Sequence, residues 1–460
     1  LKRQKNSSAN QPVNKCIAAL THFKISSLVR LGQLHYFSHP KSFTVKKTLV
    51  CLFLLFFYAQ MGYSYELLSH QQLEYFDAGR IKQTWKKINI PQLYLPVNNG
   101  VYVYEISYIT AWIDGSPVKA SGIVMIPDNL HAGYSTIIYH NGTNIMKKRE
   151  QELGYNQFSI CAGLAADGYV VVVPDYIGRG NGEKHQLYLN AKTEAQNSVD
   201  MLLSLNGFLK EKGYSAISDL FITGYSQGGH AAMATQRLIE SNYTQQFNLL
   251  ASSPMSGPYD LVGSVDVGSK AKEGDWVLFM YLVKSFQDAY AMKSSLSEIF
   301  VAPWDSLVNI YFDGYTKYGT IRKTLPLNIE QIFKKDFLVS EFFTENSAFS
   351  RVLKENSVYE FVPTVPTQLC YCEDDEVVPY KNSETAYNWM KLHGAKKIKI
   401  KDAGKNLDHE ECAIFTVIYT KLFFDKYRDV KHSNFKNDFS NAALSIAKTA
   451  KKIFPKIKLF

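Results

Sequence analysis

The chain has 460 residues, 46% hydrophobic and 20% charged, a balance that suits one large globular domain or two to three ordinary ones and not a disordered chain. Its formal net charge of +9 is local: residues 1–47 carry nine Lys or Arg and no Asp or Glu, and removing those nine from the 51 leaves 42 basic against 42 acidic residues. A body this neutral gives no basis for nucleic-acid binding.

The basic N-terminal extension ends in VKKTLVCLFLLFFYAQMGYSYE, where Lys46 and Lys47 precede a ten-residue apolar run, Leu49 to Tyr58. Gly62 and Ser64 then place small residues ahead of a cut after Ser64, completing the three parts of a secretory signal peptide. The run is short for a membrane span; an uncleaved anchor is the plainer alternative, since Tyr58 and Met61 are bulky for a cleavage region. Residues 1–64 are therefore expected to be extension and signal, with the mature chain starting near Tyr65 and exported to a secreted or periplasmic location. Leu1 opens the chain and no methionine precedes Met61, which points to Val45 as the translated start.

Eight apolar, β-branched segments follow: Val101–Thr110, Val118–Pro127, Ser135–His140, Tyr169–Pro174, Asp219–Gly224, Phe247–Ser253, Pro366–Cys372 and Lys396–Lys401. The first two alternate with polar residues, as edge hairpin strands do, whereas VVVVP is a continuous run suited to a parallel strand covered on both faces. Helical spacing occupies Thr193–Lys212, Ser226–Glu240, Asn382–His393 and Glu410–Tyr427. Such alternation predicts a mostly parallel eight-stranded sheet flanked by helices. Between the sixth and seventh strands, residues 263–362 read as aromatic-rich helices, including Trp276, Phe279, Tyr281, Phe286, Trp304, Tyr311 and Phe312. A structureless loop of that length is improbable, so the interval is expected to be a helical cap, its aromatics serving mainly as cap core. The remaining divisions are a core of 65–262 and 363–430 and a basic tail, 431–460.

The fifth strand runs into DLFITGYSQGGHAAMA, a Gly-x-Ser-x-Gly pattern in a strand–turn–helix setting with Ser226 at its centre. The pattern is short enough to arise by chance, so its partners must decide. A serine hydroxyl is a weak nucleophile unless a base takes its proton and a third group orients that base. Asp374 and Asp375 emerge just after the seventh strand in CYCEDDEVVPY, and Asp375 is the preferred acid. His409 lies after the eighth strand in KNLDHEEC; His393 ends a helical pattern and His432 lies past the last helix, so neither suits. An oxyanion hole needs backbone N–H groups, expected from Gln227 after the serine and from Thr143 in IIYHNGTN, with Asn141 the alternative. Asn141-Gly142-Thr143 also reads as a glycosylation sequon, discounted because the loop should lie beside the serine.

Six cysteines stand at 16, 51, 161, 370, 372 and 412, without zinc-finger or redox spacing, so metal binding is not expected. Cys372 and Cys412 each lie three residues from Asp375 and His409, whose side chains must meet, and are expected to be close enough for a disulfide in an oxidising compartment.

VVVPDYIGRG, GYSQGGHAA, GPYDL, DDEVVP and LDHEEC make the chain resemble an α/β-hydrolase from about Val101 to Tyr427, similar within that superfamily to secreted lipase- and esterase-type serine hydrolases. The resemblance implies ester hydrolysis through an acyl-enzyme with neither metal nor cofactor. Ser226 would attack, His409 shuttle the proton, Asp375 orient it, and Gln227 and Thr143 hold the oxyanion. The substrate would be a small-molecule or lipid ester. A prolyl-peptidase-type peptidase is the competing enzyme, although no propeller-like repeat precedes the hydrolase region. A catalytically inactive hydrolase-fold binding protein is the competing non-enzyme. In AALSIAKTAKKIFPKIKLF, lysines interleave with apolar residues and could make weak contact with an anionic membrane surface, but Pro455 interrupts the helix and favours a solvated tail.

Overall fold

A computed structural model of the chain describes residues 66–428, apart from 88–94, 131–132, 155, 270–274, 291, 293 and 343. The expected signal segment and the basic tail lie outside the described residues.

Among the described residues, nine strands form one sheet: β1 Leu67–Phe76, β2 Val101–Ala111, β3 Pro117–Pro127, β4 Ser135–His140, β5 Val170–Pro174, β6 Asp219–Tyr225, β7 Asn248–Met255, β8 Thr367–Tyr371 and β9 Ile398–Asp402. Their order is β1-β2-β3-β5-β4-β6-β7-β8-β9, antiparallel from β1 through the β3–β5 pair and parallel from β5 onward. Helices of seven residues or more are α1 Ala78–Lys87, α2 Gln157–Ala166, α3 Ala191–Glu211, α4 Gln227–Asn242, α5 Leu261–Ser269, α6 Val277–Tyr290, α7 Trp304–Tyr311, α8 Tyr318–Thr324, α9 Ala348–Asn356, α10 Lys381–Leu392 and α11 His409–Phe424.

This is the α/β-hydrolase fold implied by the sequence, with a correction in strand number: nine strands, not eight. The additional strand, β1, reads LLSHQQLEYF, and Phe76 is its only buried residue. It pairs with β2 across two register shifts and is held as an edge chiefly by main-chain hydrogen bonds, which leave no apolar periodicity to detect. The β2–β3 hairpin closes at Asp114-Gly115, where Gly115 takes φ 86°.

The continuous run in β5 has a direct cause. Val171 and Val173 face one apolar cluster, which includes Trp85 of α1 and Phe415 of α11, while Val170 and Val172 face the other, built on α3 and α4. Successive side chains point to opposite faces, so a strand covered on both must be apolar throughout.

β4 lies between β5 and β6, so strand order reverses there and opens a crevice beyond its carboxyl end. The pairing of His140 with Gly224 sets the loop after β4 beside the turn after β6, and the β8–β9 pairing makes the loops after those two strands neighbours. The described residues between β7 and β8 are mainly helical and have a core in which Val277, Phe286, Phe300, Phe333 and Phe349 are buried. This insert touches the loops at the carboxyl ends of the strands: the Lys147 N–H donates to the Gly314 carbonyl, and Tyr281 of α6 stacks on Tyr188.

Candidate active site

Ser226 joins β6 to α4 with φ 60° and ψ −122°, a conformation that costs a non-glycine residue about 1–3 kcal/mol. The surroundings hold it there. Its N–H donates to the Met255 carbonyl, and its own carbonyl accepts from Gly229 and His230. A Cβ on Gly228 would lie 2.0 Å from the His140 carbonyl oxygen, and one on Gly224 would lie 2.3 Å from that of Gly228, so neither position admits a side chain. A serine preceding a helix usually accepts a first-turn N–H, but Ser226 makes no such bond. Its Oγ is turned instead to His409 Nε2, 2.9 Å away.

His409 opens α11, whose N-cap is Asp408, with the Asp408 carboxylate accepting the Glu411 N–H. The His409 N–H donates to Glu376 Oε2 at 3.0 Å. Its Nδ1 lies 2.8 Å from each carboxylate oxygen of Asp375. Asp375 is 6% exposed, and its Oδ1 also accepts the N–H groups of Val377 and Val378, at 3.1 and 2.8 Å. Asp374 points elsewhere: its Oδ2 accepts the Asn406 N–H and makes no contact with the imidazole. Cys372 and Cys412 form a disulfide with Cα atoms 5.9 Å apart, tying the base of the acid loop to the first turn of α11.

The N–H groups of Gln227 and Thr143 have no protein acceptor among the described residues, whereas the Gly142 N–H is already committed to Gln157 Oε1 at 2.7 Å. Gln227 is the first residue of α4, where unpaired amides and the helix dipole favour negative charge. The loop carrying Thr143 is held by two phenols: Tyr176 donates to the Asn141 carbonyl at 2.6 Å, and the Tyr188 and Thr143 hydroxyls share a 3.1 Å hydrogen bond. Tyr188 stacks on Tyr281, which stacks on Phe312. Burial drives the phenol pKa of Tyr188 well above its usual value, so it stays neutral.

Several contributors have no signature in the sequence. Tyr225 donates its hydroxyl to the His409 carbonyl at 2.5 Å and sets its ring 4.9 Å from the imidazole; burial, then the charge of Asp375, raises its pKa far above the usual phenol range. His140 is fully buried, and burial lowers its pKa to about 4. Its Nδ1 faces the Thr223 carbonyl and its Nε2 faces the hydroxyls of Ser198 and Thr235, so it supports the elbow as a neutral imidazole. Each of these depends on burial or on contacts distant in sequence. Only His140 in the loop after β4 and Tyr225 within the elbow motif lay in segments that the sequence had singled out.

The sequence profile of the secretory lipase family matches residues 148–411. Among solved structures, the chain is similar to a candidate hydrolase of Legionella pneumophila at 26% identity, with a TM-score of 0.73, covering 81% of this chain and 100% of that one. It is also similar to the rice cell-wall-degrading esterase of Xanthomonas oryzae at 26% identity, with a TM-score of 0.70 over 79% of this chain and 99% of the esterase. Candida antarctica lipase A, at 17% identity and a TM-score of 0.60 over 80% and 83% of the two chains, shares the fold. No curated protein matches the chain in sequence.

Proposed function

The chain belongs to the secretory lipase family and is a carboxylic-ester hydrolase, and we propose that it is a secreted serine hydrolase working through an acyl-enzyme, with Ser226, His409 and Asp375 as its triad. The observation that carries this reading is the unbroken hydrogen-bonded path from Ser226 Oγ through His409 to Asp375, at 2.9 and 2.8 Å. His409 Nε2 takes the hydroxyl proton as Oγ attacks the acyl carbon, and returns it to the departing alcohol as the tetrahedral intermediate collapses to the ester of Ser226. A water that loses its proton to the same nitrogen then attacks the acyl-enzyme, and the acid leaves as Oγ recovers a proton. Asp375 keeps a proton on Nδ1 and offsets the imidazolium charge. The oxyanion is held by the N–H groups of Gln227 and Thr143, each such donor being worth about 10²–10³ in kcat.

In this reading residues 65–262 and 363–430 form the hydrolase core, and residues 263–362 form a cap that substrates pass beneath or beside. Residues 1–64 direct export, with maturation near Tyr65. The substrate is a small-molecule or lipid ester. Ser226→Ala is the deciding experiment: it is expected to abolish hydrolysis of nitrophenyl esters and labelling by a fluorophosphonate while the protein still folds. Activity near wild type in that variant would overturn the assignment. N-terminal sequencing of exported material tests the maturation site, and a start at Leu1 would overturn it.

A further inference from the structure

Behind Gln227 lies a buried polar network that the triad does not use. The Gln227 side chain is held at both ends: its Nε2 donates to Glu194 Oε1 at 2.8 Å, and its Oε1 accepts from Gln186 Nε2 at 3.2 Å. The other carboxylate oxygen of Glu194 lies 2.7 Å from His230 Nδ1, and His230 Nε2 lies 2.8 Å from the Asn356 carbonyl oxygen. Glu194 is 3% exposed and His230 0%. The three supports come from different parts of the fold: Glu194 from the first turn of α3, His230 from the first turn of α4, and Asn356 from the last residue of α9, at the end of the helical insert.

The hydrogen bonds determine the proton count. A carbonyl oxygen only accepts, so His230 Nε2 bears a proton; the short contact between Nδ1 and Glu194 then requires a second one, shared between imidazole and carboxylate. The pair is thus neutral in sum, and both carboxylate oxygens and both ring nitrogens are hydrogen-bonded, the condition under which buried polar groups fix geometry instead of destabilising it; at the outer end of the network, Gln186 Oε1 has no partner among the described residues. The remaining carboxylate oxygen of Glu194 accepts from the side chain of Gln227, the residue that follows Ser226 and opens α4.

We propose that Glu194 and His230 are positioning residues that aim the Gln227 N–H at the oxyanion by gripping the Gln227 side chain. The inference rests on the reading of that N–H as an oxyanion donor. An interaction of this kind acts on the transition state and not on substrate binding, so its loss lowers kcat and leaves KM in place. Glu194→Gln can keep every hydrogen bond: its Oε1 accepts from Gln227, and its amide donates to Nδ1 of a neutral His230 whose Nε2–H still serves Asn356. Glu194→Ala cannot.

The experiment measures kcat and KM for a short soluble nitrophenyl ester, per active site titrated by fluorophosphonate, in wild type, Glu194→Ala, Glu194→Gln, Gln227→Ala and the Glu194→Ala/Gln227→Ala double variant. Glu194→Ala and Gln227→Ala should each lower kcat by about tenfold or more with KM nearly unchanged. The double variant should lose no more than either single one, because both remove the same tether. Glu194→Gln should recover most of the turnover. If Glu194→Ala does not fold, Gln227→Ala carries the test alone, and wild-type turnover in it overturns the proposal. A Glu194→Ala protein of lowered Tm but wild-type turnover per titrated site also overturns it, by making the network purely structural. Ser226→Ala run alongside separates the two readings. Activity surviving there overturns the triad and this inference with it, whereas an inert Ser226→Ala beside an unimpaired Glu194→Ala overturns this inference alone.

Discussion

Replacing Asp375 by Asn, with Asp374→Asn as its control, tests the proposed triad more sharply than removing the Ser226 hydroxyl. Both Asp375 oxygens stand 2.8 Å from His409 Nδ1, and Oδ1 also accepts two backbone N–H groups, from Val377 and Val378. An amide in this place can keep the backbone bonds only by directing its NH₂ group at the imidazole. Nδ1 must then accept, the proton moves to Nε2, and the nitrogen facing Ser226 Oγ ceases to be a base. The wrong tautomer and the lost offset of imidazolium charge together cost about 10³–10⁴ in kcat, or roughly 4–5 kcal/mol of transition-state stabilisation. Asp374→Asn loses a charge-assisted bond to the Asn406 N–H on an exposed loop, and is expected to change kcat by no more than about threefold. The assay is initial rates of nitrophenyl ester hydrolysis, normalised to circular dichroism and to titrated sites. A larger loss in Asp374→Asn than in Asp375→Asn would refute the argument and move the acid by one position.

The Cys372–Cys412 disulfide closes a loop over a sequence separation of 40, so Cys372→Ser/Cys412→Ser should lose about 4 kcal/mol of unfolding free energy in urea titrations; a change within 0.5 kcal/mol would show that the bridge does not constrain the unfolded chain. His140 contributes a pH dependence of definite sign. Burial lowers its pKa from 6.5 to about 4, so the neutral side chain favours the folded state fully above about pH 6.5, and that contribution of about 3 kcal/mol is lost as pH falls toward 4, where the unfolded chain binds the proton more readily. His140→Gln should flatten this part of the stability profile, and a decline parallel to wild type would reject the assignment. Residues 263–362 are expected to set acyl preference: apolar burial worth about 0.8 kcal/mol per methylene favours medium or longer acyl chains over acetate, chiefly through KM. Replacing that segment by a short linker should remove the preference, and an unchanged chain-length profile in a folded truncation would assign specificity to the loops at the sheet edge.

Much of the fold was legible because its signals are local. The apolar run of β5 follows from a strand covered on both faces, and the spacing of Gly224, Ser226 and Gly228 follows from a turn whose backbone approaches the His140 carbonyl too closely for any Cβ. The order Ser226, Asp375, His409 along the chain placed each residue after a strand, and parallel strands deliver such loops to one edge of the sheet. What lay beyond the sequence depended on contacts without periodicity. β1 buries only Phe76 and is held as an edge largely by its backbone, so its apolar residues do not alternate and no strand pattern marks it. Asp374 and Asp375 are adjacent carboxylates, and which of them faces His409 depends on the path of the chain after β8, which turns Asp375 to the imidazole and Asp374 to the Asn406 N–H. The grip of Tyr176 and Tyr188 on the loop after β4, and of Glu194 and His230 on Gln227, joins residues many positions apart through buried hydrogen bonds. Sequence by itself determined eight of the nine described strands, four of the helices that flank them, and the edge of the sheet to which their loops run, because periodicity and turn geometry are properties of short segments. Only the tertiary structure decided which polar groups are buried against one another, because the partner that makes such burial tolerable comes from elsewhere in the chain.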